Sequence, residues 1–131
     1  MIMLILSIIL ALSTMQIVTT SLNLDTIKSK ITADAETDPV DSWFDAADDP
    51  AIWVHPTNPS KSRIIGTDKK WGLFVYNLNG EEVGAYNVGK INNVDVRYGF
   101  PLGDKKVDIV GGSSRDDNTI VLYSITGYGQ L

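Results

Sequence analysis

Short apolar runs of five to seven residues alternate with polar turn residues from position 51 to the end of the chain. Runs of this length, rich in Val, Ile and aromatic residues, predict β-strands. The predicted strands are 51–55, 63–67, 73–78, 83–87, 94–98, 107–111 and 119–125. Asn79-Gly80 predicts a tight hairpin, and Gly103-Asp104 predicts another turn. Since no long stretch has helical periodicity, the expected fold class is all-β.

These strands form two sets that resemble each other, at offsets that drift from 44 to 47 residues. A period of about 45 residues with four strands per unit is typical of a β-propeller blade. The alternative is a chance similarity between two β-meanders. The matching positions are Asp48-Asp49 with Asn92-Asn93, 64–66 with 109–111, Lys70 with Arg115, Tyr76 with Tyr123, and Gly80 with Gly127.

Two blades cannot close a propeller, which typically needs about four to eight. The second unit also reaches Gly127, where its fourth strand should begin, only a few residues before position 131. The expectation is therefore that residues 42–131 hold the first two blades of an incomplete propeller domain.

The first 12 residues form an apolar run that is short for a membrane span and typical of a signal peptide. The expected organisation is a signal peptide at 1–20, a polar linker at 21–41 and the propeller domain from 42 onward. The protein is then expected to be secreted, extracellular or periplasmic, without stable membrane association once the signal is removed. The alternative is a retained N-terminal anchor.

Composition excludes several classes of function. The 131 residues contain no cysteine, so a disulfide framework, a thiol nucleophile and a thiolate metal site are excluded. A net charge of −5 leaves no broad basic surface for nucleic acid. The single histidine, His55, excludes a zinc site built from several histidines within this chain and is interpreted as structural.

Carboxylates and lysines flank the first two predicted strands. Asp45, Asp48 and Asp49 precede the first strand, and Lys69 and Lys70 follow the second. In a meander, the turn that enters strand one and the turn that joins strands two and three lie at the same end of the sheet. We therefore expect these side chains to meet on one rim of the propeller.

The second unit repeats this arrangement with amide and cationic side chains. Carboxylate and amide oxygens are ligands that Ca²⁺ prefers, and lysine and arginine bind phosphate oxygens. The alternative for each group alone is a solvated turn or hairpin end. The candidate metal ligands are Asp45, Asp48, Asp49, Asn92, Asn93 and Asp95. The candidate substrate-binding residues are Lys69, Lys70, Lys90 and Arg115, of which Lys69, Lys70 and Arg115 are also the candidate catalytic residues.

Four segments together resemble the N-terminal part of the β-propeller phytases, also called alkaline phytases or 3-phytases. They are DAADDPAIW at 45–53, DKKWGL at 68–73, GKINNVDVRY at 89–98, and residues 107–115. The resemblance implies a secreted six-bladed propeller that is monomeric at full length. It also implies calcium-dependent removal of phosphate from phytate (myo-inositol hexakisphosphate) by metal-activated water.

Two other functions remain open at this point. One is a non-catalytic propeller that binds partners through an acidic rim, and the other is a different calcium-dependent propeller hydrolase, such as a lactonase. Neither explains why Lys69, Lys70 and Arg115 accompany the carboxylates. A histidine or cysteine phosphatase is disfavoured, because the chain has no cysteine and its one histidine precedes Pro56.

Overall fold

Antiparallel β-strands make up most of the described part of the chain, which is residues 31–131 of a computed structural model. The strands are β1 (Ala47–Trp53), β2 (Arg63–Asp68), β3 (Gly72–Tyr76), β4 (Glu82–Asn87), β5 (Ile91–Leu102), β6 (Lys105–Ser114) and β7 (Ile120–Ile125). The helical structure within 31–131 is a single 3-10 turn at Pro59–Lys61. The all-β prediction is confirmed.

The predicted signal peptide at 1–20 and the first part of the predicted linker lie outside the described residues. Between positions 31 and 131 there is no helix with the length and apolar character needed to cross a membrane. Residues 33–131 form one compact unit. Within it, the backbone N–H of Asp38 donates to the carbonyl of Gly80 at 2.7 Å, which ties the end of the expected linker to the β3–β4 turn.

The seven described strands form two separate antiparallel meanders. The first sheet has the order β1-β2-β3-β4 and the second has the order β5-β6-β7, and all neighbours are antiparallel. A four-stranded antiparallel meander is the blade of a propeller. The second sheet matches the first three strands of that unit, as the sequence repeat predicts.

Strand register confirms the repeat and corrects one of its predicted matches. Ala51 pairs with Ile65 in the first sheet, and their counterparts 45 positions later, Val96 and Val110, pair in the second. Beyond the next turn, Val110 pairs with Tyr123, whereas Ile65 pairs with Val75. Tyr123 is therefore the counterpart of Val75 rather than of Tyr76. The physical reason is the longer connection between β6 and β7: nine residues lie between the partners Ile65 and Val75, and twelve lie between the partners Val110 and Tyr123.

The turns that follow β3 and β7 have the same hydrogen bonds. In each, the N–H of the first residue, Asn77 or Thr126, donates to the carbonyl four positions later. The glycine three positions after that first residue has a positive φ, 85° at Gly80 and 73° at Gly129. Gly129 is thus the counterpart of Gly80, and the predicted match to Gly127 is wrong by two positions.

The hydrophobic core lies between the inner faces of the two sheets. Its fully buried members come from both sheets and include Trp53, Ile65, Leu73, Val75, Ile91 and Val110. Hydrogen bonds also join the two sheets along this interface. The indole N–H of Trp53 donates to the carboxylate of Asp108 at 2.9 Å, and the Tyr98 hydroxyl accepts the N–H of Val54 at 2.9 Å.

His55 has the structural role expected from its sequence context. Its Nδ1 accepts the backbone N–H groups of Thr57 and Asn58 at 3.2 and 3.1 Å. Nε2 therefore carries the proton and donates to the carbonyl of Gly127 at 3.2 Å. This places His55 at the opposite end of the first sheet from Asp45 and the lysines.

Candidate functional site

A β-bulge lies at the start of the first strand in both sheets. Asp48 and Asp49 together oppose Thr67 on β2, and Asn92 and Asn93 together oppose Ser113 on β6. The sequence places these pairs before the strands, but the structure places them within β1 and β5. A bulge sets two residues against one and re-aims their side chains, so it directs the oxygen donors toward the rim.

The same hydrogen bond supports each bulge. The N–H of Asp49 donates to Thr67 Oγ1 at 2.9 Å, and the N–H of Asn93 donates to Ser113 Oγ at 3.2 Å. A hydroxyl group on the facing strand thus takes the place of the backbone carbonyl that a regular ladder would supply.

A cationic residue lies on the turn next to each bulge. Lys69 is on the β2–β3 turn, and Arg115 is on the β6–β7 turn. Lys69 N–H donates to the carbonyl of Ala46 at 2.9 Å, and Arg115 N–H donates to the carbonyl of Lys90 at 2.8 Å. These bonds align Arg115 with Lys69, which corrects the predicted match to Lys70. In each sheet, the cationic turn lies at the end where the first strand enters, as the meander argument predicts.

Lys69 contacts two of the candidate carboxylates. Its Nζ lies 2.9 Å from Asp45 Oδ1 and 3.6 Å from Asp48 Oδ1, with the Lys69 side chain only 16% exposed. The hydrogen bond and charge of Lys69 lower the pKa of Asp45, and the hydrogen bond from Lys69 to Asp45 raises the pKa of that lysine. Asp45 and Lys69 are therefore both charged at neutral pH, and Lys69 partly neutralises the acidic cluster.

Lys70 is positioned by a buried carboxylate that the sequence analysis missed. Asp68 is fully buried, and its Oδ1 accepts the Lys70 N–H at 2.9 Å while Oδ2 accepts the Ser42 N–H at 3.3 Å. The Lys70 ammonium donates to the carbonyl of Trp43. An Asp two positions before the residue whose N–H it accepts is an Asx-turn pattern, so the sequence carried a signal for this role.

Three candidate ligands line one groove, which Asp49 of β1 shares with residues of the second sheet. Asp49, Asn93 and Asp95 line it together with residues of β6, including Gly111. Asp49 also joins the two sheets, because its Oδ2 accepts the N–H of Val94 at 3.0 Å.

The remaining candidates form a cluster on the second sheet. Arg115 Nη1 lies 3.4 Å from Asn92 Oδ1, and the Asn92 amide donates to Asn93 Oδ1 at 2.9 Å. Lys90 pairs with Asp116 at 3.2 Å, and Asp116 also accepts the Lys90 backbone N–H at 3.0 Å. These hydrogen bonds lower the pKa of Asp116 and hold the turn that carries Arg115.

The structure thus brings the candidates into two clusters and a groove. Within 31–131, no hydrogen bond or ion pair joins Lys69 or Lys70 to Arg115. Over the same residues, no three Asp, Glu, His or Cys side chains gather closely enough to hold a metal ion. The donor chemistry of Asp49, Asn93 and Asp95 fits Ca²⁺, which takes about six to eight oxygen ligands, so a complete site needs additional donors.

Comparison with known proteins assigns the chain to a family. The family model described as Phytase matches residues 1–130. The chain belongs to the phytase family. A 3-phytase of Bacillus subtilis (strain 168) is 56% identical over 100 residues, which is 75% of this chain and 26% of that protein. This phytase-family chain therefore spans about a quarter of the length of the curated relative that it matches.

Proposed function

We propose that this chain forms the first two blades of a secreted, calcium-dependent β-propeller phytase that removes phosphate from phytate. One observation carries the proposal: two bulges bearing oxygen donors each lie beside a cationic turn at the same end of a blade. Family membership and the 56% identity to a 3-phytase support the same chemistry. The complete protein, meaning the chain with all its blades, is proposed to act as a monomer.

The cations would bind the phosphate groups of the substrate. Lys69 and Lys70 lie on the turn of one sheet, and Lys90 and Arg115 lie at the rim of the next. Two separate cationic clusters suit a substrate with several phosphate groups around one ring. Arg115 has a planar guanidinium that can hold two phosphate oxygens at once, whereas each lysine acts as a point charge.

The oxygen donors would hold calcium. Asp49, Asn93 and Asp95 share one groove, and Asp45, Asp48 and Asn92 lie at the rim. We propose that the remaining ligands come from further blades. Bound calcium would neutralise substrate phosphate and activate water for hydrolysis.

Lys69 links the proposed phosphate-binding cations to the proposed calcium ligands. It contacts Asp45 and Asp48, so its charge is shared between the acidic cluster and any incoming phosphate. When cations neutralise these carboxylates, Lys69 becomes free to stabilise charge on the phosphoryl oxygens. Such positioned charges act most strongly where negative charge develops in the transition state.

Phosphate release from phytate by the complete protein tests this proposal. We expect release with calcium present, loss of release after chelation, and recovery when calcium is added back. A matched lactone substrate should remain intact. Phytate binding without release would identify a non-catalytic binding module, and lactone cleavage without phosphate release would identify a different propeller hydrolase. Either result would contradict the proposed function.

A further inference from the structure

We infer that the hydroxyl groups of Thr67 and Ser113 are positioning groups, which hold the two bulges in the conformation that presents the candidate calcium ligands. The inference rests on the proposed function for its purpose, and on hydrogen bonds for its geometry. Neither residue carries a charge, and neither was among the candidates from the sequence.

Thr67 has the clearer geometry. It is only 1% exposed, its Oγ1 accepts the N–H of Asp49 at 2.9 Å, and its hydroxyl proton points to the Asp49 carbonyl at 3.3 Å. Both backbone groups of Asp49 therefore depend on this side chain. Since the Asp49 carboxylate accepts the Val94 N–H at 3.0 Å, the backbone and the side chain are held from opposite sides.

Ser113 repeats the arrangement on the second sheet. Its Oγ accepts the N–H of Asn93 at 3.2 Å and lies 3.5 Å from Asn93 Oδ1. Ser113 also lines the groove that contains Asp49, Asn93 and Asp95. Two hydroxyl residues in matching positions of separate sheets, each bonded to a bulge residue, indicate a shared role in shaping this groove.

A bulge needs such a partner because its extra residue leaves one backbone N–H without a ladder carbonyl. Removal of the Thr67 hydroxyl leaves the half-buried N–H of Asp49 without its acceptor, and the bulge then relaxes toward other conformations. Groups that orient metal ligands from the outer shell typically change metal affinity by about 10- to 100-fold. The expected effect is thus on calcium affinity rather than on the fold as a whole.

The test compares Thr67→Val with Thr67→Ser and with Ser62→Ala in the complete protein. Valine keeps the shape and removes the hydroxyl, whereas serine keeps the hydroxyl. Ser62 is a matched control, because it is 4% exposed and its Oγ accepts a backbone N–H, that of His55, at 3.1 Å, beside the other end of β2. Calcium alone is titrated by calorimetry, and amide hydrogen exchange is followed in calcium-free protein.

We expect Thr67→Val to weaken calcium binding by about 10-fold or more, and to speed exchange of the Asp49 amide. Thr67→Ser should restore both to within about 3-fold of wild type, and Ser62→Ala should leave calcium affinity unchanged. At saturating calcium, KM for phytate should stay within about 2-fold in all variants. Ser113→Ala should show the same pattern at Asn93.

Two results would overturn the inference while leaving the proposed function intact. One is wild-type calcium affinity in Thr67→Val, and the other is an equal loss in Ser62→Ala. If the wild-type protein releases phosphate from phytate but binds no calcium, the positioning role toward calcium is wrong, and so is the calcium dependence in the proposed function. Absence of both calcium binding and phosphate release in the wild type would instead refute the proposed function and, with it, this inference.

Discussion

Asp49 has two roles: its carboxylate connects the two sheets, and it is a proposed calcium ligand. One carboxylate oxygen accepts the Val94 N–H and thereby joins the two sheets, while the residue lines the groove with Asn93 and Asp95. Replacement by alanine would remove the link between sheets together with the charge. Asparagine is the better probe, since its amide oxygen still accepts the Val94 N–H.

The first prediction separates the metal ligands from the phosphate-binding cations. Asp49→Asn should weaken calcium binding and reduce activity together, because it removes a charged ligand and keeps the hydrogen bond. Arg115→Ala should retain most calcium binding and lower kcat/KM for phytate. A lost charge-assisted contact is worth about 1.5–3 kcal/mol, or about one to two decades in kcat/KM.

Calorimetric calcium titration beside phosphate-release kinetics distinguishes these effects. Arg97→Ala is the matched control for Arg115→Ala, because Arg97 is an exposed cation on the same sheet, away from the β6–β7 turn. Unchanged phytate hydrolysis in Arg115→Ala at low substrate concentration would refute the phosphate-binding role of this residue.

The second prediction concerns alkaline stability and Tyr76. Tyr76 is 3% exposed, and burial, followed by the charge of Glu82, raises its pKa from 10.0 to about 12. The folded protein keeps this phenol neutral between those values, whereas the unfolded chain ionises it. Its contribution to stability is therefore complete below pH 10 and is lost as the pH rises toward 12.

Tyr76→Phe removes the titrating group and should flatten the pH dependence of the unfolding midpoint over that range. The measurement is thermal unfolding of wild type and variant at intervals between pH 9 and 12. Tyr128→Phe serves as the control, because Tyr128 is 71% exposed. An unchanged slope in Tyr76→Phe would contradict the assignment.

At the scale of elements, the repeat depends on turns as much as on strands. The turns after β3 and β7 share their backbone bonds and a side-chain acceptor at the first position. Asn77 Oδ1 accepts the N–H groups two and four positions later, and Thr126 Oγ1 does the same. The two side chains differ in type, so this match is difficult to detect from residue identity alone.

The third prediction tests which glycine has the special conformation. At Gly129, φ is +73° and an added Cβ would lie 2.6 Å from Arg63 Cγ, whereas at Gly127 nothing lies within 4 Å. Gly129→Ala should lower stability by about 1–2 kcal/mol from the backbone alone, with Gly127→Ala close to neutral. Denaturant unfolding of both variants is the measurement, and a larger loss in Gly127→Ala would reverse the assignment.

At the scale of the whole molecule, the two sheets leave faces and edges that nothing within 31–131 covers. β4 and β7 each pair on one side only. On β7, Ile120 and Leu122 are 75% and 56% exposed on the same face. Open edges and exposed apolar faces favour association with other chains.

The fourth prediction is that residues 31–131 alone associate in solution and show no calcium-activated phosphate release. Analytical ultracentrifugation over a concentration series measures the association. Replacement of Ile120 and Leu122 by lysine should reduce it, because both side chains lie on the exposed face. A monodisperse, calcium-activated monomer of this length would contradict the two-blade interpretation.

The fifth prediction concerns export. When the protein is expressed from its first residue in a bacterial host, secreted material should lack an N-terminal segment that ends between positions 11 and 24. The basis is the apolar run at 1–12 followed by small and polar residues. Intact-mass measurement checks this, and secreted protein that retains Met1 would contradict it.

The sequence by itself determined the number and approximate positions of the strands, the turns between them and the approximate period of the repeat. These features follow from local signals: short apolar runs, turn residues such as Gly103-Asp104, and the recurrence of similar residues about 45 positions apart. It also indicated that the first-strand entries and the cationic turns share an end of each sheet, because a meander alternates its turns. The positions of the charged and amide residues relative to the predicted strands were sufficient for that inference.

Only the tertiary structure decided how the candidate residues face one another. The bulge that sets Asp49 against Thr67, and the bond from Val94 to Asp49, join positions 18 and 45 residues apart. The alignment of Arg115 with Lys69 likewise depends on strand register. Register and contacts between sheets result from packing of distant segments, and a one-residue shift moves a side chain to the other face, so local pattern does not specify them.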